Sequence, residues 1–234
     1  MAVVALSLAC SPGLGYVEFK DGQVHDIDYE IEDDVRVDYL VLWIQTTVNL
    51  LEGGRIGYPF SLEAYEHSRV NILGGSVGRD LWAWDSSQIR IVAGSIDYDV
   101  RAYETSQVQM SSGAIRGGLA VHMSSRAEIA GGSIGDVLVS TDQAIVTIHG
   151  SDFAVDGEPF GYGELTSLLG GWWEDEPRRH LSGTLDDGEP LDNGFYVGYD
   201  AKIVLVPEPA TILLMAFGGL ALLRTRLVAV ERSL

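Results

Sequence analysis

Apolar residues through the middle of this chain recur at i and i+2, and the pairs themselves recur every 19 residues. Ile72, Ile91, Met110, Ile129 and Ile148 share one column, and Val70, Ile89, Val108, Ala127 and Val146 share another two residues earlier. A second pair of columns holds Leu81, Val100, Leu119 and Leu138, then Ala83, Ala102, Val121 and Ser140; Leu62 and Ala64 extend it one turn backwards. A period of two is the pattern of a strand with one buried face. Gly75-Ser76-Val77, Gly94-Ser95-Ile96, Gly113-Ala114-Ile115 and Gly132-Ser133-Ile134 mark turns at the same interval, and Ser151-Asp152-Phe153 continues the series. Two or three short strands per repeat cannot bury a face alone, whereas stacking repeat on repeat buries the inward columns continuously. The pattern predicts an all-β chain built on a single-stranded parallel β-helix of about five 19-residue coils, each rising about 4.8 Å. An antiparallel sandwich would need no such fixed interval.

The register slips before the repeats. Thr47-Val48-Asn49-Leu50 precedes Arg69-Val70-Asn71-Ile72 by 22 residues, which places an insertion near Tyr58-Pro59. Residues 17–53 read as strand-rich and polar and are expected to form an irregular N-terminal β cap, because an open solenoid end exposes strand edges. The repeats themselves occupy residues 54–157. Residues 158–205 lose the period, carry Trp172-Trp173 and the acidic run Glu174-Asp175-Glu176, and end in an apolar strand; they are expected to form a C-terminal β cap.

Composition narrows the function classes. The chain has 28 Gly in no collagen-like period, which fits a β protein with many turns. Between residues 11 and 206 it carries 12 Lys and Arg against 32 Asp and Glu, a net charge of −20. Such a body repels nucleic acid and anionic membranes. The lone Cys10 permits neither an internal disulfide nor a cysteine-ligated metal. It follows the apolar run 2–9, and residues 1–16 read as a signal segment without the usual basic start, with a buried first strand as the alternative.

The other end carries more. Val206-Pro207-Glu208-Pro209 is followed by an apolar stretch over residues 212–223 and then by Arg224, Arg226 and Arg232. Two prolines stop an incoming strand. Residues 210–223 as a helix would span about 21 Å, short of a bilayer core of about 30 Å, with flanking residues able to extend it. Arginines beyond it would hold that end in the cytoplasm and the body outside. The order Pro-Glu-Pro, short hydrophobic helix, basic cluster resembles the PEP-CTERM sorting signal of Gram-negative bacteria, a tail also labelled an ice-binding protein C-terminal domain. Pro207, Glu208 and Pro209 match the sorting motif and Arg224 and Arg226 the basic stop; the extra Leu-Val-Ala-Val after Arg226 departs from it. Residues 206–234 are thus expected to be a sorting and transmembrane tail. The resemblance implies processing by an exosortase, transient anchoring in the inner membrane, export to the envelope or beyond, and association with exopolysaccharide or biofilm.

Candidate chemistry lies in the outward columns. Tyr65, Trp84, Tyr103 and His122 fall 19 apart and form an aromatic ladder. Its structural reading is stacking between neighbouring strands; its functional reading is a glycan-binding ladder of Tyr65, Trp84 and Tyr103, in a carbohydrate-binding or polysaccharide-cleaving module. Beside it stand Glu66, Asp85 and Glu104, a column of like charges that would repel, raising a pKa or recruiting a cation such as Ca²⁺. The next turn places Met123 there, and no calcium-loop motif repeats, so a solvated turn is the simpler reading. The five histidines hold no metal spacing, and no nucleophile elbow, phosphate loop or dinucleotide fingerprint occurs. Coils of 19 residues leave no room for loops around a catalytic groove. The expectation is a non-enzymatic protein without cofactor. Ice binding would need a regular flat face, and the column Asn71, Arg90, Gln109, Glu128, Thr147 is mixed and charged. Ser68, Ser87, Ser106 and Ser125 form a regular column at a turn, where Ser bonds the backbone.

Overall fold

A computed structural model describes residues 15–42, 44–166 and 179–207. They form a parallel β-solenoid of about seven turns, and among the described residues there is no helix. Three parallel ladders wind around one core. The first runs through Tyr16–Phe19, Asp34–Val37, Leu62–Ala64, Leu81–Ala83, Val100–Ala102, Leu119–Val121, Val137–Ser140 and Pro190–Val197. The second begins with Val24–Ile27 and Thr47–Leu50. It continues through the first halves of Arg69–Val77 and Gln88–Ile96, then Gln107–Met110, Arg126–Ile129, Ile145–Val155 and Lys202–Pro207. The third is short: Glu30–Ile31, Arg55–Ile56, the second halves of the two long strands, Ala114–Ile115 and Ser133–Ile134.

The 19-residue interval is the register itself. Ile91 lies opposite both Ile72 and Met110, and Ile129 lies between Met110 and Ile148. These side chains have essentially no exposed surface. Fully burying one aliphatic side chain contributes about 1.5–3 kcal/mol. Truncating Ile91 to Ala would cost about 2–5 kcal/mol, since neighbours held by the backbone ladder cannot collapse into the gap.

The expected five coils become about seven turns because both flanking segments stack on the same ladders. Val17 faces Val35 and Val35 faces Leu62, intervals of 18 and 27 residues that hide the period from the sequence. The longer interval holds a loop, residues 38–46, stapled at its base: the buried Asp38 carboxylate accepts the Thr46 amide and hydroxyl, both at 2.6 Å. The insertion expected near Tyr58-Pro59 is present, since offsets shrink from 22 residues at Leu50 to 19 at Leu62. Tyr16, assigned to the leader by the sequence boundary, starts the first strand. At this end His25 occupies the core column above Val48, its ring 4.6 Å from Phe19 and its Nε2 2.8 Å from Asp21. A polar side chain thus closes an otherwise aliphatic column.

At the far end the pairing turns antiparallel. Arg179–Leu185 lies against both Pro190–Val197 and Ile145–Val155, and Gly163–Thr166 lies against Lys202–Pro207. Val137 faces Gly194 and Ile145 faces Lys202, so the excursion returns both strands to the ladders at the same offset of 57 residues. Trp172, Trp173 and the acidic run 174–176 lie outside the described residues, as do residues 1–14 of the expected leader and the expected C-terminal helix.

Candidate functional site

From Tyr65 to Ala144 each regular coil turns from the first ladder to the second through four residues: Tyr65-Glu66-His67-Ser68, Trp84-Asp85-Ser86-Ser87, and so on. The second of the four is left-handed at these five turns, with φ of 53° at Glu66, 55° at Asp85, 60° at Glu104, 59° at Met123 and 63° at Asp142. That region is costly for β-branched residues and tolerated by unbranched ones, which accounts for the side chains found there. The fourth residue closes the turn: Ser68 and Ser87 amides reach the Tyr65 and Trp84 carbonyls at 3.0 Å. Ser106 and Ser125 hydroxyls, fully buried, also donate to carbonyls one coil below.

The first of the four is the aromatic column, and its rings stack on one another. Trp84 and Tyr103 centroids are 4.2 Å apart with planes at 10°, Tyr103 and His122 are 4.9 Å apart at 16°, and Tyr65 and Trp84 are 6.4 Å apart at 7°. A sugar stacks on the face of a ring, and here the faces of Trp84 and Tyr103 are turned to their neighbours in the column. The outer end of the stack meets Tyr39 edge-on at 4.9 Å, and His122 Nδ1 lies 2.7 Å from the Thr141 hydroxyl. Burial holds the His122 imidazole below its ordinary pKa. A recess of 220 Å³ between Tyr39, Leu40 and the column is the hollow beside these rings. Ligand pockets run about 300–1,000 Å³.

The acidic column has a structural occupation too. The Glu66 amide donates to Asp85 Oδ2 at 3.0 Å, the Asp85 amide to Glu104 Oε2 at 2.7 Å, and the Met123 amide to Asp142 Oδ2 at 3.2 Å. Each carboxylate reaches back one coil and satisfies the N–H of the left-handed residue there. A side-chain hydrogen bond to Asp85 pushes the Glu104 carboxyl up, and burial with the nearby Asp85 charge pushes Glu66 up. Among the described residues no group of three or more His, Cys, Asp and Glu is arranged to hold a metal. A second acid column joins coils at another corner, reaching forward instead of back: the Asp99 amide donates to Asp80 Oδ1 at 3.2 Å, and the Gly118 amide to Asp99 Oδ1 at 2.9 Å.

Sequence reasoning missed the cluster that ends the aromatic stack. Arg36 lies over the rings of Tyr16 and Tyr39 at 4.2 and 5.0 Å, and its Nε donates to Glu63 Oε2 at 3.1 Å. The Tyr65 hydroxyl donates to the same carboxylate oxygen, and burial first, then that bond, pushes its pKa up. Tyr16, Arg36 and Tyr39 lie in the irregular turns, so no fixed interval links them to Tyr65.

Of the sorting residues, Pro207 ends the last strand, opposite Gly150, one residue after Val206 faces His149. Glu208, Pro209, Arg224 and Arg226 lie outside the described residues. The solenoid therefore runs into the Pro-Glu-Pro segment without a linker, since the buried Leu205 belongs to the core. Fold and terminus together define a repeat β-solenoid continuous with a C-terminal signal. The family model of the PEP-CTERM protein-sorting motif matches residues 205–226. The motif marks an exported protein that is processed by an exosortase and sorted to the cell envelope. No curated protein and no solved structure matches the chain.

Proposed function

We propose that this exported protein is a non-enzymatic structural component of a polysaccharide-rich envelope or extracellular matrix, held transiently in the inner membrane by its tail before release. One observation carries the reading: the aromatic and acidic columns, the side chains best suited to chemistry, are spent on joining coil to coil. Rings that stack on each other and carboxylates that accept backbone amides stiffen a rod. A stiff rod delivered to the cell surface suits a scaffold. The sugar-binding ladder of Tyr65, Trp84 and Tyr103 would need a ring face turned outward, and a cleaving enzyme would need carboxylates free of backbone partners.

The test follows the protein and the polymer in the native host. Full-length protein should appear in the envelope or medium with a shortened C-terminus by mass spectrometry, and a variant lacking residues 208–234 should keep its terminus and stay within the cell boundary. Removing the protein should lower cell-associated polysaccharide without changing its chain length. Shorter polysaccharide chains released by the purified protein would replace the structural reading with an enzymatic one.

A further inference from the structure

Eight of the eleven described Lys and Arg side chains lie within 3.6 Å of a carboxylate. The other three, Arg69, Arg90 and Arg126, all point outward from the second ladder. In a body this acidic, three guanidiniums without carboxylate partners among the described residues, all on one face, stand out against the charge pattern elsewhere. Arg69 and Arg126 share one column with Gln88 and Gln107 between them, three coils or about 14 Å from end to end. Arg90 occupies the adjoining column, between Asn71 and Gln109.

These side chains line a trough. A hollow of 320 Å³ is bounded by Arg69, Asn71, Gln88 and Arg90, and a second of 490 Å³ by Arg126, Glu128, Thr147 and His149; Gln107 and Gln109 line both. The trough crosses successive coils along the rod axis and ends at Val206 and Pro207, in the last described strand. The carboxylate in it, Glu128, is engaged by His149 Nε2 at 3.0 Å.

We infer that this trough binds an extended anionic polysaccharide of the uronate class, with Arg69, Arg90 and Arg126 pairing carboxylates and Gln88, Gln107 and Gln109 bonding hydroxyls. The inference rests on the matrix reading above and gives it a surface. Guanidinium matches carboxylate in a planar two-point contact, and amides offer both donor and acceptor to sugar hydroxyls. Coils rising about 4.8 Å present one polar row for each pyranose of an extended chain. Nucleic acid fits less well, because the trough lining holds no Phe, Tyr or Trp ring for base stacking and the acidic body opposes a charge at every unit.

The experiment measures binding of the full-length protein, in detergent, to polygalacturonate, dextran and single-stranded DNA at low and moderate salt. Polygalacturonate should bind, weaken with salt, and lose at least tenfold in affinity in the R69Q/R90Q/R126Q variant. Dextran and DNA should bind at least tenfold more weakly than polygalacturonate. The R79Q/R116Q variant, which removes ion-paired arginines elsewhere, should stay within twofold, and the melting temperatures of both variants should match the parent, because the altered side chains are exposed. Equal affinity of the triple variant overturns the trough as the site while leaving the matrix reading standing. Dextran or DNA binding as tightly as polygalacturonate overturns the ligand class. Failure of the parent to bind either polysaccharide overturns both the trough and the matrix reading.

Discussion

Trp84 and Tyr103, one coil apart, lie with ring centroids 4.2 Å apart and planes 10° from parallel, so each covers a face of the other. A column that would read as a binding platform from its residue types alone is a strut in the fold. Trp84→Ala should therefore destabilise the protein by about 2–4 kcal/mol, through lost packing on both Tyr65 and Tyr103. Trp84→Phe should recover about half. Thermal unfolding of the two variants checks this, and an unchanged melting temperature for Trp84→Ala would return the column to a binding role.

The corner carboxylates carry a pH dependence of definite sign. Glu104 has its pKa raised above 4.5, chiefly because its side-chain hydrogen bond with Asp85 needs a proton between them. A raised folded value means that this group's contribution to stability is complete below its ordinary pKa and is lost as pH rises through the folded one. Glu104→Gln keeps an oxygen for the Asp85 amide but never ionises. It should melt higher than the parent at pH 7, and the gap should close by pH 4. A variant that melts lower at pH 7 would show that the carboxylate charge is needed.

Gly94 and Gly157 separate clash from backbone strain. Both are left-handed, at φ of 88° and 83°, but a Cβ on Gly94 would stand 2.1 Å from the Gly75 carbonyl oxygen, and one on Gly157 would meet nothing within 4 Å. Gly157→Ala should cost about 1 kcal/mol, the penalty of the left-handed conformation alone. Gly94→Ala should cost at least about 3 kcal/mol, since coil must part from coil to admit the methyl group. The ratio of the two shifts in denaturant midpoint is the readout. Equal shifts would mean that the coils are not in close contact there.

Much of this architecture is legible in the residue pattern itself. Ile72, Ile91 and Ile129 share a column because a solenoid repeats its register, and an interval of 19 survives wherever every turn has the same length. The first turns look like an irregular cap because the loop over residues 38–46 stretches one interval to 27. Their strand pairing depends on Asp38 folding back to Thr46, a contact no periodicity announces. Spacing reveals the aromatic column but not the direction of its ring faces, because an interval fixes position along the rod and leaves ring orientation open. Asp80 and Asp99 are hard to see as a column because Ser61 and Gly118 interrupt the residue type on either side. The trough arginines are the least visible: Arg69 and Arg126 are separated by two glutamines, and whether an arginine has a carboxylate beside it depends on the neighbouring coils.

The claim beneath all of these is that residues 19 apart lie directly above one another. Ser86 and Thr105 test it most directly, since their hydroxyl oxygens are 2.9 Å apart on the outer corner of adjacent coils. Cysteines at both positions, in a chain with Cys10→Ser, should form a disulfide under mild oxidation, detected as a mass loss of two hydrogens in the peptide joining them. Cysteines at 86 and 124, two coils or about 10 Å apart, exceed the reach of about 7 Å between Cα atoms that a disulfide allows and should stay reduced. A bond at 86–124 and none at 86–105 would contradict the solenoid register on which the rod, the struts and the trough depend.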